Sequence, residues 1–111
     1  MEDIPFQEVY DLTDIELNQS VSVKVKGEPV IVCHTEEGFY AIEDRCSHAN
    51  IPLCGGYIKG TMISCPLHGA VFDLKSGSPL TPPAFEKLKS YEVLISGTII
   101  SLREKINEQD S

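Results

Sequence analysis

Two histidines each follow a cysteine at close range: Cys46-Ser47-His48 and, after 16 intervening residues, Cys65-Pro66-Leu67-His68. This pattern supplies two thiolates and two imidazoles, donors that suit either zinc or a centre of iron and sulfur. A structural zinc site favours paired cysteines in a tight knuckle, where neighbouring thiolates share one ion. Here each pair offers one sulfur and one nitrogen, which fits a two-metal centre better. One iron would take both cysteines and the other both histidines, so that each segment contributes to each iron. The other two cysteines carry no such pattern. Cys33 ends an apolar run and reads as a small core hydrophobe, and Cys54 reads as a packed free thiol. A Cys54 to Cys65 disulfide would compete with ligation. His34 has no partner pattern and is expected at the surface.

The elements that must hold these residues have the period of strands. In Ser20-Val21-Ser22-Val23-Lys24-Val25 the valines alternate with polar residues, and Lys26-Gly27-Glu28 turns the chain into an apolar run over residues 29–33. After Glu36-Glu37-Gly38, Phe39-Tyr40-Ala41-Ile42 reads as a third strand leading toward Cys46. Near the other end, Tyr91-Glu92-Val93-Leu94-Ile95 and Thr98-Ile99-Ile100-Ser101-Leu102 form a hairpin about Ser96-Gly97. Helix is expected only as a turn or two over residues 12–17. The class is all-β. Residues 46–83 hold five of the 8 glycines and five of the 7 prolines, a composition that reads as loops held close to something.

The 111 residues amount to one domain. Lys plus Arg number 9 and Asp plus Glu 17, a formal net charge of -8 that argues against binding nucleic acid or an anionic membrane surface. No apolar run approaches the roughly 20 residues of a membrane span. The acidic N-terminus lacks the form of an export signal, so a cytoplasmic location is expected, where metal ligation suits four cysteines better than a disulfide framework. Charge is unevenly spread: residues 1–23 hold six acids and no base, whereas residues 46–72 hold a single charge, Lys59. The acidic stretch reads as a solvated face or, alternatively, as the source of a steering field directed from the acidic base toward the uncharged tip.

On these residues the sequence resembles the Rieske-type ferredoxins, whose motif is met by Cys46, His48, Cys65, His68 and Gly69. The likeness extends to Gly38-Phe39-Tyr40-Ala41, Gly55-Gly56-Tyr57, Val71-Phe72-Asp73 and the closing hairpin, covering residues 6–102. It implies the Rieske iron-sulfur fold. An antiparallel, sandwich- or barrel-like base would carry an inserted cluster-binding subdomain of two loops at about residues 45–75, in one domain over residues 1–104 with a flexible tail over 105–111. It also implies one [2Fe-2S] cluster, with Cys46 and Cys65 on the buried iron and His48 and His68 on the outer one. The function implied is that of a soluble, monomeric one-electron carrier. It would run from a flavin-dependent reductase to a terminal oxygenase, as in aromatic-ring dioxygenase systems. No nucleophile, base and oxyanion arrangement suggests catalysis of its own.

Replacing two thiolates by neutral imidazoles leaves the oxidised centre uncharged, which places mixed clusters at roughly -150 to +300 mV against about -400 mV for all-cysteine ones. The high-potential Rieske proteins of respiratory complexes add a loop-to-loop disulfide and Ser and Tyr hydroxyl donors. Ile51 and Leu67 stand in place of that disulfide here, and Ala70 and Phe72 in place of the hydroxyls, so only backbone donors remain and the lower end of the window is expected. Ile51, Pro52, Leu53, Pro66 and Leu67 would form an apolar docking patch around His48 and His68. Pro82-Pro83, with Ser78-Pro79-Leu80 and Ala84-Phe85, would belong to a lid or a plain surface turn. The rival readings are the Rieske-like small subunit of a nitrite reductase, a redox sensor acting through Cys54 and, from another class, a zinc-bound interaction module.

Overall fold

A run such as Val30-Ile31-Val32-Cys33 has no polar face, and a strand built from it must be covered on both sides. The computed structural model, which describes residues 6–11, 15–45, 52–66, 69–81 and 87–105, supplies both covers. Strand β3, Glu28–Thr35, lies inside a six-stranded antiparallel sheet with β1 (Gln7–Asp11), β2 (Gln19–Val25), β4 (Gly38–Glu43), β8 (Ser90–Ser96) and β9 (Ile99–Glu104), in the order β1-β9-β8-β4-β3-β2. Because side chains alternate along a strand, Val30 and Val32 enter one core and Ile31 and Cys33 the other.

The first core is internal to the base sheet, where Val30 and Val32 meet Val23, Val25, Ala41, Tyr91, Ile100 and Leu102. Edge strands β1 and β2 also approach one another, so the sheet curls around this core. The second core lies under a separate three-stranded sheet, β5 (Tyr57–Lys59), β6 (Met62–Ser64) and β7 (Val71–Asp73), in the order β5-β6-β7. There Ile31, Cys33 and Ile42 of the base meet Leu53, Ile58, Ile63, Phe72 and Leu74. Complete burial of such a side chain stabilises by about 1.5–3 kcal/mol, so the small sheet is held chiefly by what it covers.

The insertion point is topological: β4 and β8 are neighbours in the base, pairing Ala41 with Tyr91 and Ile42 with Ser90, while the chain between them builds the small sheet. The all-β class and the five strands read from the sequence are present. Residues 46–83 differ from the expectation of loops by containing β5, β6 and β7, each of 3 residues and too short to show a period. Strand β1 was likewise not anticipated. The closing hairpin pairs Ser96 with Ile99, so its turn is Gly97-Thr98 and not Ser96-Gly97. Gly97, at φ 63°, takes the first central position that a two-residue turn gives to glycine. The expected helix is absent where described: Leu17-Asn18 form a turn, and residues 12–14 lie outside the described residues, as do 106–111 of the tail.

His34 is half-buried, contrary to the surface position expected of it. Its Nδ1 lies 3.0 Å from the Ile15 carbonyl, and its ring stacks on its cross-strand partner Phe39 at 4.2 Å. No helix among the described residues is long and apolar enough to cross a membrane.

Tyr91 yields a pH prediction. Burial, then the Glu104 carboxylate opposite it on β9, with smaller contributions from Glu28 and Glu43 and opposition from Lys89, pushes its phenol up to about 12. The folded value exceeds the unfolded one of about 10, so this contribution is complete below pH 10 and is lost as pH rises toward 12. Urea midpoints at about pH 9 and about pH 11.5 should converge in Tyr91→Phe relative to the wild type; an unchanged difference would refute the assignment.

Candidate metal centre

Of the expected ligands, Cys65 is described. It follows β6 directly, is 3% exposed and carries a free thiol. Its N–H donates to the Ala70 carbonyl at 2.7 Å, and its carbonyl accepts from Gly69 N–H at 3.1 Å, so the β6–β7 connection is closed at its base. Gly69 sits at φ 74°, a conformation that a side chain would strain. Cys46, His48 and His68 lie outside the described residues, as do Ile51, Leu67 and residues 82–86. Among the described residues no group of three or more His, Cys, Asp or Glu side chains could hold a metal ion.

The segment bearing Cys46 and His48 leaves β4 through Glu43, Asp44 and Arg45 and returns at Pro52. Its two ends are tied by one buried carboxylate. Asp44 Oδ1 accepts from the backbone N–H of Leu53 at 2.7 Å and of Cys54 at 3.0 Å, while Oδ2 accepts from the Ser22 hydroxyl on β2 at 2.7 Å. Asp44 N–H in turn donates to the Pro29 carbonyl at 3.1 Å, so the clasp is anchored to the base sheet. Glu43 adds a second anchor. Its carboxylate accepts from Lys89 N–H at 2.9 Å and pairs with Arg45 Nε at 3.0 Å.

The ends of the two loops touch. A Cβ on Gly56 would lie 2.2 Å from the Ser64 carbonyl oxygen and 3.0 Å from that of Leu53, so glycine lets the exit of the first loop lie against the entry of the second. A third segment joins the other side. Leu80 N–H donates to the Val71 carbonyl at 2.7 Å, and Val71 N–H to Thr81 Oγ1 at 3.1 Å. This carries the chain along β7 toward residues 82–86. Gly77, at φ 80°, then receives Leu88 so closely that a Cβ there would fall 2.2 Å from the Leu88 carbonyl oxygen.

Several side chains can now be placed. Leu53 is fully buried in the core of the small sheet, which removes it from the docking patch expected of it; Pro52 and Pro66 are exposed. Ala70 and Phe72 are fully buried, and neither has a hydroxyl to donate. Cys33 is fully buried, as its apolar run implied, and burial, reinforced by Cys54 and Asp44 nearby, pushes its thiol well above the usual range. Cys54 is half-buried against the same core, and Cys54 and Cys65 are both free thiols, not a disulfide. Sequence reasoning missed Asp44. An aspartate at a loop entrance is a plausible acceptor for nearby amides, yet its partners lie nine and ten residues away, which no local pattern discloses.

The described part of the site fits a cofactor shared between two loops: a buried free cysteine on one, a clasp closing the other, and backbone contact between them. The family described as Rieske [2Fe-2S] domain matches residues 6–92. The 3-phenylpropionate/cinnamic acid dioxygenase ferredoxin subunit of Shigella boydii is 36% identical over 94 residues, covering 83% of this chain and 89% of that one. The ferredoxin of carbazole 1,9a-dioxygenase from Nocardioides aromaticivorans superposes with a TM-score of 0.83 at 30% identity, over 90% of this chain and 98% of that one. A chain in the complex of reduced oxygenase and oxidized ferredoxin in carbazole 1,9a-dioxygenase also reaches 0.83, at 27% identity over 94% and 99%.

The contact at Gly56 predicts a specific loss. Gly56→Ala should destabilise the metal-free protein by about 1–3 kcal/mol in urea unfolding and lower the iron retained per chain, since either loop must move. Unaltered unfolding and iron content would show that the loops do not meet there.

Proposed function

The chain belongs to the Rieske [2Fe-2S] domain family, and from that premise we propose that Cys46 and Cys65 hold the inner iron and His48 and His68 the outer one. The protein is a one-electron carrier, the ferredoxin component of a multicomponent dioxygenase system and not itself an enzyme. The observation that carries this is length: the likeness covers 89% of a dioxygenase ferredoxin subunit. The cofactor is one [2Fe-2S] cluster, which when bound takes up and gives back a single electron.

The chain's own part is to position and to insulate. We assign it one domain through residue 104, with the cluster-binding subdomain at about residues 45–75 and residues 105–111 as a tail. The strands and clasp described above keep the ends of both ligand loops in place, so little should move when an electron arrives. Buried Ile63, Ala70 and Phe72 form an apolar floor beside Cys65. The amides of Leu53 and Cys54 donate to Asp44, and so are not donors to a cluster sulfur. With few donors left, the potential belongs at the lower end of the Rieske window, where a flavin-dependent reductase can supply electrons.

The acceptor is a terminal oxygenase, by analogy with the ferredoxin complex among the structural relatives. Docking would centre on His48 and His68, with exposed Pro52 and Pro66 at its edge. Only Lys59 is charged within residues 46–72, so an encounter there desolvates little charge and stays small and reversible. The net charge of -8 disfavours nucleic acid and anionic membrane as partners. A cytoplasmic monomer is the corresponding assignment. Retention of all four ligand residues separates this chain from a nitrite reductase subunit that has lost them.

Iron, acid-labile sulfide and EPR assays test the reading together. Anaerobically prepared protein should contain about two iron and two sulfide per chain and give a Rieske EPR signal after dithionite. His48→Ala or His68→Ala should abolish that signal, and Cys54→Ser should preserve both signal and turnover with a reductase and oxygenase pair. Zinc in place of iron, or a signal that survives loss of either histidine, would defeat the assignment.

A further inference from the structure

Asp44 is 6% exposed, and its carboxylate is spent on three hydrogen bonds: the Leu53 and Cys54 amides on Oδ1 and the Ser22 hydroxyl on Oδ2. The two amides lie at the far end of the first ligand segment, and the hydroxyl lies on base strand β2. One side chain therefore fixes three separated pieces of chain: the entrance of the loop, its exit and the sheet beneath.

Burying a carboxylate is costly even when its oxygens are satisfied. A neutral asparagine could accept the same two amides at Oδ1 without that cost. The charge must therefore be accounted for separately from the hydrogen bonds. It stands two residues from Cys46, in a loop otherwise without charge from Cys46 to Gly56. A negative charge two residues along the chain from a ligand of a centre that becomes more negative on reduction would oppose that reduction, and low surrounding polarity would strengthen the effect.

We propose that Asp44 is the positioning residue of the first ligand loop: its carboxylate ties the loop's entrance to its exit at Leu53 and Cys54, and its charge holds the reduction potential down. This rests on the assignment of Cys46 and His48 as ligands. It goes beyond that assignment because Asp44 itself touches no iron; it acts through the backbone at Leu53 and Cys54 and through its charge.

Holoprotein and three measurements decide the matter: hydrogen exchange of the peptide spanning residues 50–57, the rate of cluster loss to an iron chelator, and the midpoint potential by voltammetry. In the wild type the amides of Leu53 and Cys54 are protected. Asp44→Ala removes the acceptor, and the cluster should bleach about tenfold faster or more, with altered EPR g-values. Asp44→Asn keeps the Oδ1 acceptor and loses the charge. It should restore the wild-type g-values and keep cluster lifetime within about twofold, while its midpoint potential moves upward.

If Asp44→Ala does not fold, Asp44→Asn and the wild-type exchange data suffice. An Asp44→Asn potential equal to or below that of the wild type overturns the role of the charge. Freely exchanging Leu53 and Cys54 amides in a coloured wild type overturn the clasp alone. A colourless wild type instead overturns the cluster assignment on which both depend.

Discussion

A strand that is apolar on both faces cannot lie on the outside of a sheet, and β3 imposes this requirement on the whole chain. Val30 and Val32 need the interior of the curled base, and Ile31 and Cys33 need a second cover on the opposite side. The small sheet is that cover. Its attachment follows from side-chain burial at β3 and β4 more than from hydrogen bonds between sheets, because the two sheets share no strand. Exposure of the Ile31 face would leave apolar surface in water at about 25 cal/mol per Å².

With the cover in place, the three segments around the proposed site are held at their ends. Asp44 and Glu43 tie the first to the base, the Cys65–Ala70 pairing closes the second, and the approach of Gly77 to Leu88 returns the third to β8. Glycine at 56 and 77 marks where backbone meets backbone without room for a side chain. Such close approach converts packing of the base into position at the site. A carrier benefits, because rigid surroundings reduce the reorganisation that accompanies each gain and loss of charge.

Charge is handled by separation. The ligand region is nearly neutral, while acids dominate elsewhere, giving the net -8. Under the docking proposed above, an uncharged contact surface would cost little to desolvate and would release readily. Asp44 stands just before that nearly neutral stretch and is buried, where a partner would not have to strip its water.

Spacing disclosed the likeness to a mixed-ligand iron-sulfur family and, with it, the four residues proposed as ligands, because Cys-x-His and Cys-x2-His are local patterns whose chemistry depends on residue type. Alternation disclosed β2, and apolar runs bounded by turn residues disclosed β3, β4, β8 and β9. Strands β5, β6 and β7 are too short for that, and they exist because Ile58, Ile63 and Phe72 find a common core. Leu53, read as a surface contact, and His34, read as an exposed side chain, were decided by neighbours from distant sequence: Leu53 by the core under the small sheet, His34 by Phe39 and the Ile15 carbonyl. Asp44 belongs to the same class. Its meaning lies in amides nine and ten residues ahead and a hydroxyl on another strand, and only folding brings those donors to one carboxylate.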